Sequence, residues 1–208
     1  KNPDAKNVYA NVFLMFGYGM AVLGAMLMLF APEALMIFTT PEYYDAAWVA
    51  GILGYNLIFI GYSYIAIVAI SITKNTKPYG IAMLYATILT IILNVLLIPH
   101  FGKEGSALAT VFAQILVPVY LFYKGQKVFY IPYKFGEVIS ITVGMLVLVV
   151  AVRLVPFENL GTQIFVKIII SIILISIALF IRRHTLKTLI DALKKQKINP
   201  DTAIAKNP

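Results

Sequence analysis

Six long apolar runs, 8–31, 46–73, 78–99, 105–123, 135–152 and 163–181, set the strongest limit on what this chain can become. Each is near or above the roughly 17–25 residues that an α-helix needs to cross about 30 Å of hydrocarbon. Five of them carry no charge except at an edge. With 61% hydrophobic and 12% charged residues in 208, a soluble fold has no interior large enough to hide this surface. A transmembrane barrel would show shorter stretches with alternating polar positions, which this sequence lacks. The expected fold is therefore all-α: a polytopic transmembrane helix bundle of six predicted spans.

Lys and Arg near span ends resist translocation, whereas Asp and Glu matter little, so the basic residues predict orientation. Lys1 and Lys6 precede the first run, Lys74 and Lys77 follow the second, and Lys124, Lys127 and Lys134 follow the fourth. Arg182, Arg183, Lys187, Lys194, Lys195, Lys197 and Lys206 follow the last. The intervening loops hold only Lys103 and Arg153, together with Glu33, Glu42, Asp45, Glu104 and Glu158. Both ends of the chain are thus expected on the cytoplasmic side of the cell membrane. A basic rim against anionic headgroups accounts for the net charge of +8 without any nucleic-acid partner.

The first residue is Lys, and 1–6 has neither the apolar core nor the cleavage site of a signal peptide, so the chain reads as the C-terminal portion of something longer. There is no Cys, and His100 and His184 lie far apart, so neither a metal site nor a cofactor is expected. Pro32 and Pro41 frame a short outer segment, 34–40, expected to lie in the interface. Tyr9, Tyr79, Tyr120, Tyr123, Tyr130 and Tyr133 sit near span borders, as belt residues do. Gly17, Gly19, Gly24, Gly51, Gly54 and Gly61 allow close helix contacts, and Pro118 predicts a kink in the fourth span. Leu186, Leu189, Ile190 and Leu193 recur at helical spacing among basic residues, which predicts an interfacial amphipathic helix followed by a disordered tail across 182–208.

The connection between the third and fourth runs, 94–110, has a definite physical logic. Pro99 ends a helix, Gly102 and Gly105 permit a tight turn, and Ser106, Ala107, Ala109 and Thr110 give the next helix a small-residue face. A short, rigid outer hairpin is expected. Asn94 lies inside the third run, where an amide needs an internal partner or a wet cavity.

This stretch resembles the N-x-x-L-I-P-x-x-G-x-x-G-A-A-x-A-T signature of polysaccharide flippases, the O-antigen (Wzx-like) exporters of the multidrug/oligosaccharidyl-lipid/polysaccharide superfamily. Asn94, Leu97, Ile98, Pro99, Gly102, Gly105, Ala107, Ala109 and Thr110 match it, with Ser106 in place of one alanine. Tyr44, Asp45, Ala46 and Ala47 opening a span, and the basic turn 73–77, fit the same pattern in the same order. The resemblance covers about residues 38–125; elsewhere only hydropathy agrees.

The resemblance implies a fourteen-helix transporter of two six-helix lobes and a final pair, of which this chain holds the last six. On that mapping 1–125 supplies four helices of the second lobe, 126–181 the appended pair and 182–208 the cytoplasmic tail. The implied partners are a lipid-linked oligosaccharide substrate, membrane lipids, polysaccharide-assembly enzymes and the missing N-terminal part of the same chain. The implied mechanism is alternating access, with no enzymatic activity.

Such a carrier needs a hydrated path of amides, hydroxyls and cations. Tyr55, Asn56, Tyr62, Ser63 and Tyr64 in the second run, Thr87, Thr90 and Asn94 in the third, and Gln114 in the fourth are the polar positions that can supply it. Thr87, Thr90 and Asn94 share one helical face, which either lines a cavity or seals helix to helix. Lys167 is the only charge well inside a run. It either snorkels to the outer headgroups or pairs with a lipid phosphate beside the last two helices.

Two other classes compete: a membrane-embedded glycosyltransferase or ligase using Glu42 and Asp45, and a non-transporting scaffold that works through the basic tail. Glu42 and Asp45 read more simply as solvated loop charges. A multidrug exporter is the near neighbour within the superfamily, and relies on buried carboxylates.

Overall fold

The computed structural model describes residues 3–71, 76–155, 159 and 161–176, with the side chains of 3–5 and 69 left aside. All regular structure among the described residues is helical. The chain runs through α1 (Pro3–Leu29), α2 (Ala31–Phe38), a 3-10 turn (Pro41–Ala46), α3 (Ala47–Ser71), α4 (Lys77–Val128), α5 (Phe135–Leu154) and a shorter apolar α6 (Gly161–Ser176). Four of these helical segments are long and apolar enough to cross a membrane. Proline punctuates the series, standing in the first turn of α2, of the 3-10 turn and of α4, where the missing N–H forfeits no bond. The outer segment expected at 34–40 is thus α2, which begins three residues earlier. The predicted sixth span lies partly, and the tail 182–208 wholly, outside the described residues, as does most of the basic turn 73–77.

At 52 residues α4 is far too long for one crossing, and Gly102 divides it. Its φ of 56° and ψ of −131° are those of a mirror-image turn, which only glycine adopts without steric cost. The two limbs then fold back on each other. Tyr85 and Tyr120 meet with ring centroids 6.4 Å apart, and Ala82 and Ala86 share one cluster with Val117 and Leu121. Gly105 is required for a different reason: a Cβ there would stand 2.5 Å from the Leu97 carbonyl oxygen of the other limb. The expected hairpin is therefore present, and the third and fourth apolar runs are its limbs. The expected kink at Pro118 involves no loss of helical φ/ψ, since Gly102 is the one non-helical residue of α4.

Laterally, the α4 hairpin packs on α3, α3 on α1, and α1 on α5. Close approach relies on small residues, as at Gly24, where a Cβ would lie 2.6 Å from Ile58 of α3. The main core joins Phe13, Leu14, Ala21, Ala25 and Leu29 of α1 to Tyr55 and Ile58 of α3 and Met145 and Val149 of α5. Phe13 anchors an aromatic cluster, with Tyr133 at 4.8 Å, Phe122 at 5.3 Å and Phe135 at 5.5 Å between ring centroids in tilted or edge-on arrangements. α4 and α5 meet through Phe122 and Phe135, 5.0 Å apart, rather than by packing along their length. That separation leaves the space described next.

Candidate functional site

A cavity of about 780 Å³ lies between the second limb of α4 and α5, on a floor supplied by α1 and α3. Its wall is apolar in effect because the polar groups on it bond to one another. Thr142 Oγ1 donates to the Val138 carbonyl at 2.8 Å, which leaves the Tyr62 hydroxyl to donate to Thr142 Oγ1 at 2.9 Å. The Tyr55 hydroxyl donates to the Thr142 carbonyl. Polarity survives only at the lysine-rich end, where Tyr123, Gln126 and Lys127 form the rim. Gln126 clasps the following loop, its Nε2 donating to the Ile131 carbonyl at 2.7 Å and its Oε1 accepting from the Ile131 N–H at 3.0 Å. Lys127 donates to the Tyr123 hydroxyl at 2.6 Å and keeps two donors for something else.

None of Asn56, Thr87, Thr90, Asn94, Gln114 or Lys167 lines this cavity. Thr87, Thr90 and Asn94 do share a face, but each bonds a carbonyl one turn back on its own helix: Met83 at 2.9 Å, Ala86 at 2.8 Å and Thr90 at 2.9 Å. Thr87 is exposed, while Thr90, Asn94 and Gln114 are half-buried. Tyr55 and Tyr62, read as pathway residues, are spent on Thr142. Ser63 likewise bonds back to Phe59 at 2.9 Å.

Two amides stand apart from this. Asn56 is 6% exposed, and its Oδ1 is shut off from solvent with no hydrogen-bond partner among the described residues. Asn94 Oδ1 is in the same condition. Asn56 is nine residues into α3 from the lysine-poor end and Asn94 eight residues from the turn at Gly102, so both lie about 12–14 Å down their helices. Two unsatisfied acceptors thus occupy one level of the bundle, with Gln114 about one turn deeper.

At the lysine-poor end the structure corrects the reading of Lys167. It does not snorkel, and no lipid phosphate is needed to explain it: its side chain is 1% exposed, and Nζ donates to Glu33 Oε1 of α2 at 2.6 Å. Glu33 is correspondingly no loop charge, for it lies in α2 with a side chain 11% exposed. Lys167 stays inside because a carboxylate waits there, and pairing removes the drive to reach water. Arg153 completes the group. Its guanidinium carbon sits 3.9 Å from the Trp48 ring centroid, Nη1 donates to the Met28 carbonyl at the end of α1 at 3.4 Å, and the Glu33 charge acts on it. Gly51 makes the room, since a Cβ there would lie 2.5 Å from Arg153 Nη1. Asp45, read as a solvated loop charge, is exposed but bonded to Lys103 of the hairpin.

The cluster joins five helices. One signal for it was present in the sequence: Glu33, Arg153 and Lys167 all fall at the end of the bundle where basic residues are scarce, so opposite charges share a level of the bilayer where each needs a partner. Comparison of the chain with protein-family models, with curated proteins and with solved structures gave no match.

Proposed function

We propose that this chain is part of a carrier that moves lipid-linked oligosaccharide or polysaccharide repeat units across the cell membrane by alternating access, with both of its ends at the cytoplasmic face. The observation that supports this reading is the pair of buried amide oxygens, Asn56 and Asn94, at one level of the bundle and without donors among the described residues. A buried acceptor left unpaired costs about 1–3 kcal/mol. Such groups are rare in folded proteins unless something else supplies the donor. Sugar hydroxyls passing the α3–α4 level are donors of the right kind. The hairpin glycines of the flippase-like stretch support the same reading, because Gly102 and Gly105 each meet a geometric need.

One observation bears on the multidrug-exporter reading: Glu33 is a buried carboxylate. Its Oε1 accepts from Lys167 Nζ at 2.6 Å, which gives this carboxylate a structural part in holding α2 to α6. The saccharide carrier is the better fit.

The test is transport of a defined lipid-linked saccharide in reconstituted vesicles by the wild type, Asn56→Leu and Asn94→Leu, with thermal unfolding measured in parallel. Removing an unsatisfied amide should leave stability equal or higher, while transport falls at least tenfold. Full transport in both variants would overturn the proposal.

A further inference from the structure

We infer that the cavity between α4 and α5 is a binding site for an anionic glycerophospholipid of the lysine-rich leaflet, with one acyl chain in the cavity and the phosphate at Lys127. The first argument is chemical. A volume of about 780 Å³ is of the size that ligand sites have, yet Tyr55, Tyr62, Thr142 and Gln126 have all committed their polar atoms to the protein. A sugar placed there would find no partners for its hydroxyls. Hydrocarbon loses nothing by entering.

The second argument is charge. The polarity at the open rim is cationic: Lys127 lies 4.3 Å over the Tyr123 ring, with two donors to spare, and Lys124 lies one turn earlier, 5.6 Å over Tyr120. Lys6 adds to the same end, 5.3 Å over Phe129. The nearby carboxylate of Glu137 is taken by Lys134 at 3.0 Å. Long basic side chains laid on aromatic rings at a bilayer border are suited to headgroup phosphates, and basic pockets between helices select anionic lipids. The third argument is access. Because α4 and α5 do not pack along their length, a chain can slide in sideways from the leaflet without crossing a polar barrier.

The inference goes beyond the transport proposal, and its test reads binding alone, so its failure leaves transport untouched. Purified protein is titrated with palmitoyl-oleoyl phosphatidylglycerol, with phosphatidylcholine of the same chains, and with a polyprenyl phosphate, following bound lipid by native mass spectrometry and the shift in unfolding temperature. Phosphatidylglycerol should bind about fivefold more tightly than phosphatidylcholine, the preference expected of one lysine at the phosphate. Lys127→Gln should bring the two affinities to within about twofold of each other. Val143→Trp should weaken both lipids by filling the cavity from a half-exposed position that tolerates bulk. Equal binding of the two phospholipids to the wild type, or an undiminished preference in Lys127→Gln, would overturn the site. Displacement of phosphatidylglycerol by equimolar polyprenyl phosphate would overturn the choice of occupant.

Discussion

Neutralising one member of the Glu33–Lys167 pair should be among the most damaging single changes available in the described residues. The two charged atoms are 2.6 Å apart, and at an effective dielectric constant of about 20 their attraction is about 6 kcal/mol before desolvation is subtracted. Side-chain exposures of 1% and 11% mean that neither charge can recover its hydration once its partner is gone. Breaking a buried pair in this way costs about 3–5 kcal/mol. The two halves are unequal, because Arg153 remains within electrostatic range of the Glu33 carboxylate when Lys167 is removed. Lys167→Met should therefore fall near the lower figure. Glu33→Gln leaves Lys167 with no paired carboxylate among the described residues and should fall near the upper one. The double variant should lose less than the sum of the single ones by about 2–3 kcal/mol, the coupling expected of a desolvated pair. The chain carries its own reporter, since its single tryptophan, Trp48, lies under the Arg153 guanidinium. Unfolding in micelles followed by Trp48 fluorescence reads the cluster, and far-UV circular dichroism reads the whole bundle. Single variants that cost under about 1 kcal/mol, or losses that add within about 0.5 kcal/mol, would refute this account of a buried, mutually dependent pair.

The hairpin and the alkaline range offer two further checks. Gly102→Ala forces a side chain into positive φ, and Gly105→Ala drives a Cβ against the Leu97 carbonyl, so each should lower stability by about 1–3 kcal/mol. Gly144→Ala, in the middle of α5 with nothing near the added Cβ, should be neutral or stabilising by about 0.5–1 kcal/mol, and differential scanning fluorimetry separates the three. In the loop before α5, burial, and after it the neighbouring Tyr9, push the Tyr133 phenol up from 10 to about 12. The folded value lies above the unfolded one, so this contribution is intact below about pH 10 and is lost as pH rises through about 12. Tyr133→Phe should lose less stability between about pH 9 and pH 11.5 than the wild type does, and equal losses would contradict the assignment.

Hydropathy made the helices legible, since each run in the described residues becomes a helix or a limb of one. The hairpin was legible too, because Pro99, Gly102 and Gly105 act locally and their geometric needs follow from the backbone alone. Pairing across the bundle was not. Lys167 and Glu33 are 134 positions apart, and no local rule says that a charge at the edge of one run will meet a charge inside another. Snorkelling looked cheaper because the partner was invisible. The cavity escaped for a related reason: polar residues suggest a path, but Tyr55, Tyr62 and Thr142 cancel one another's polarity, and the space is defined by two helices that fail to pack. Conversely, the shared face of Thr87, Thr90 and Asn94 was read correctly as geometry, yet the hydroxyls turn back to their own helix, as threonine does wherever no other acceptor is near.

The ties between helices are unevenly distributed, and that has mechanical consequences. At the lysine-poor end the Glu33–Lys167 pair and the Arg153 contacts bind α1, α2, α3, α5 and α6 through buried charges whose separation is costly. The α4 hairpin takes no part in that group. Its polar link at the same end is Lys103 with Asp45, whose side chains are 44% and 73% exposed, a pair worth at most about 1 kcal/mol. Against α3 the hairpin presents an apolar surface, with Ala82, Ala86, Val117 and Leu121 packed on Ala66 and Ile70, and no buried charge crosses it among the described residues. Towards α5 its contact runs through the aromatic cluster at the lysine-rich end. Relative movement of the hairpin against the other helices therefore breaks a surface ion pair, shifts aromatic edges and slides one apolar interface, while movement within the charge-bound group exposes buried charge. On the proposed alternating-access mechanism the hairpin is therefore the element expected to shift, and it carries the orphan amide of Asn94.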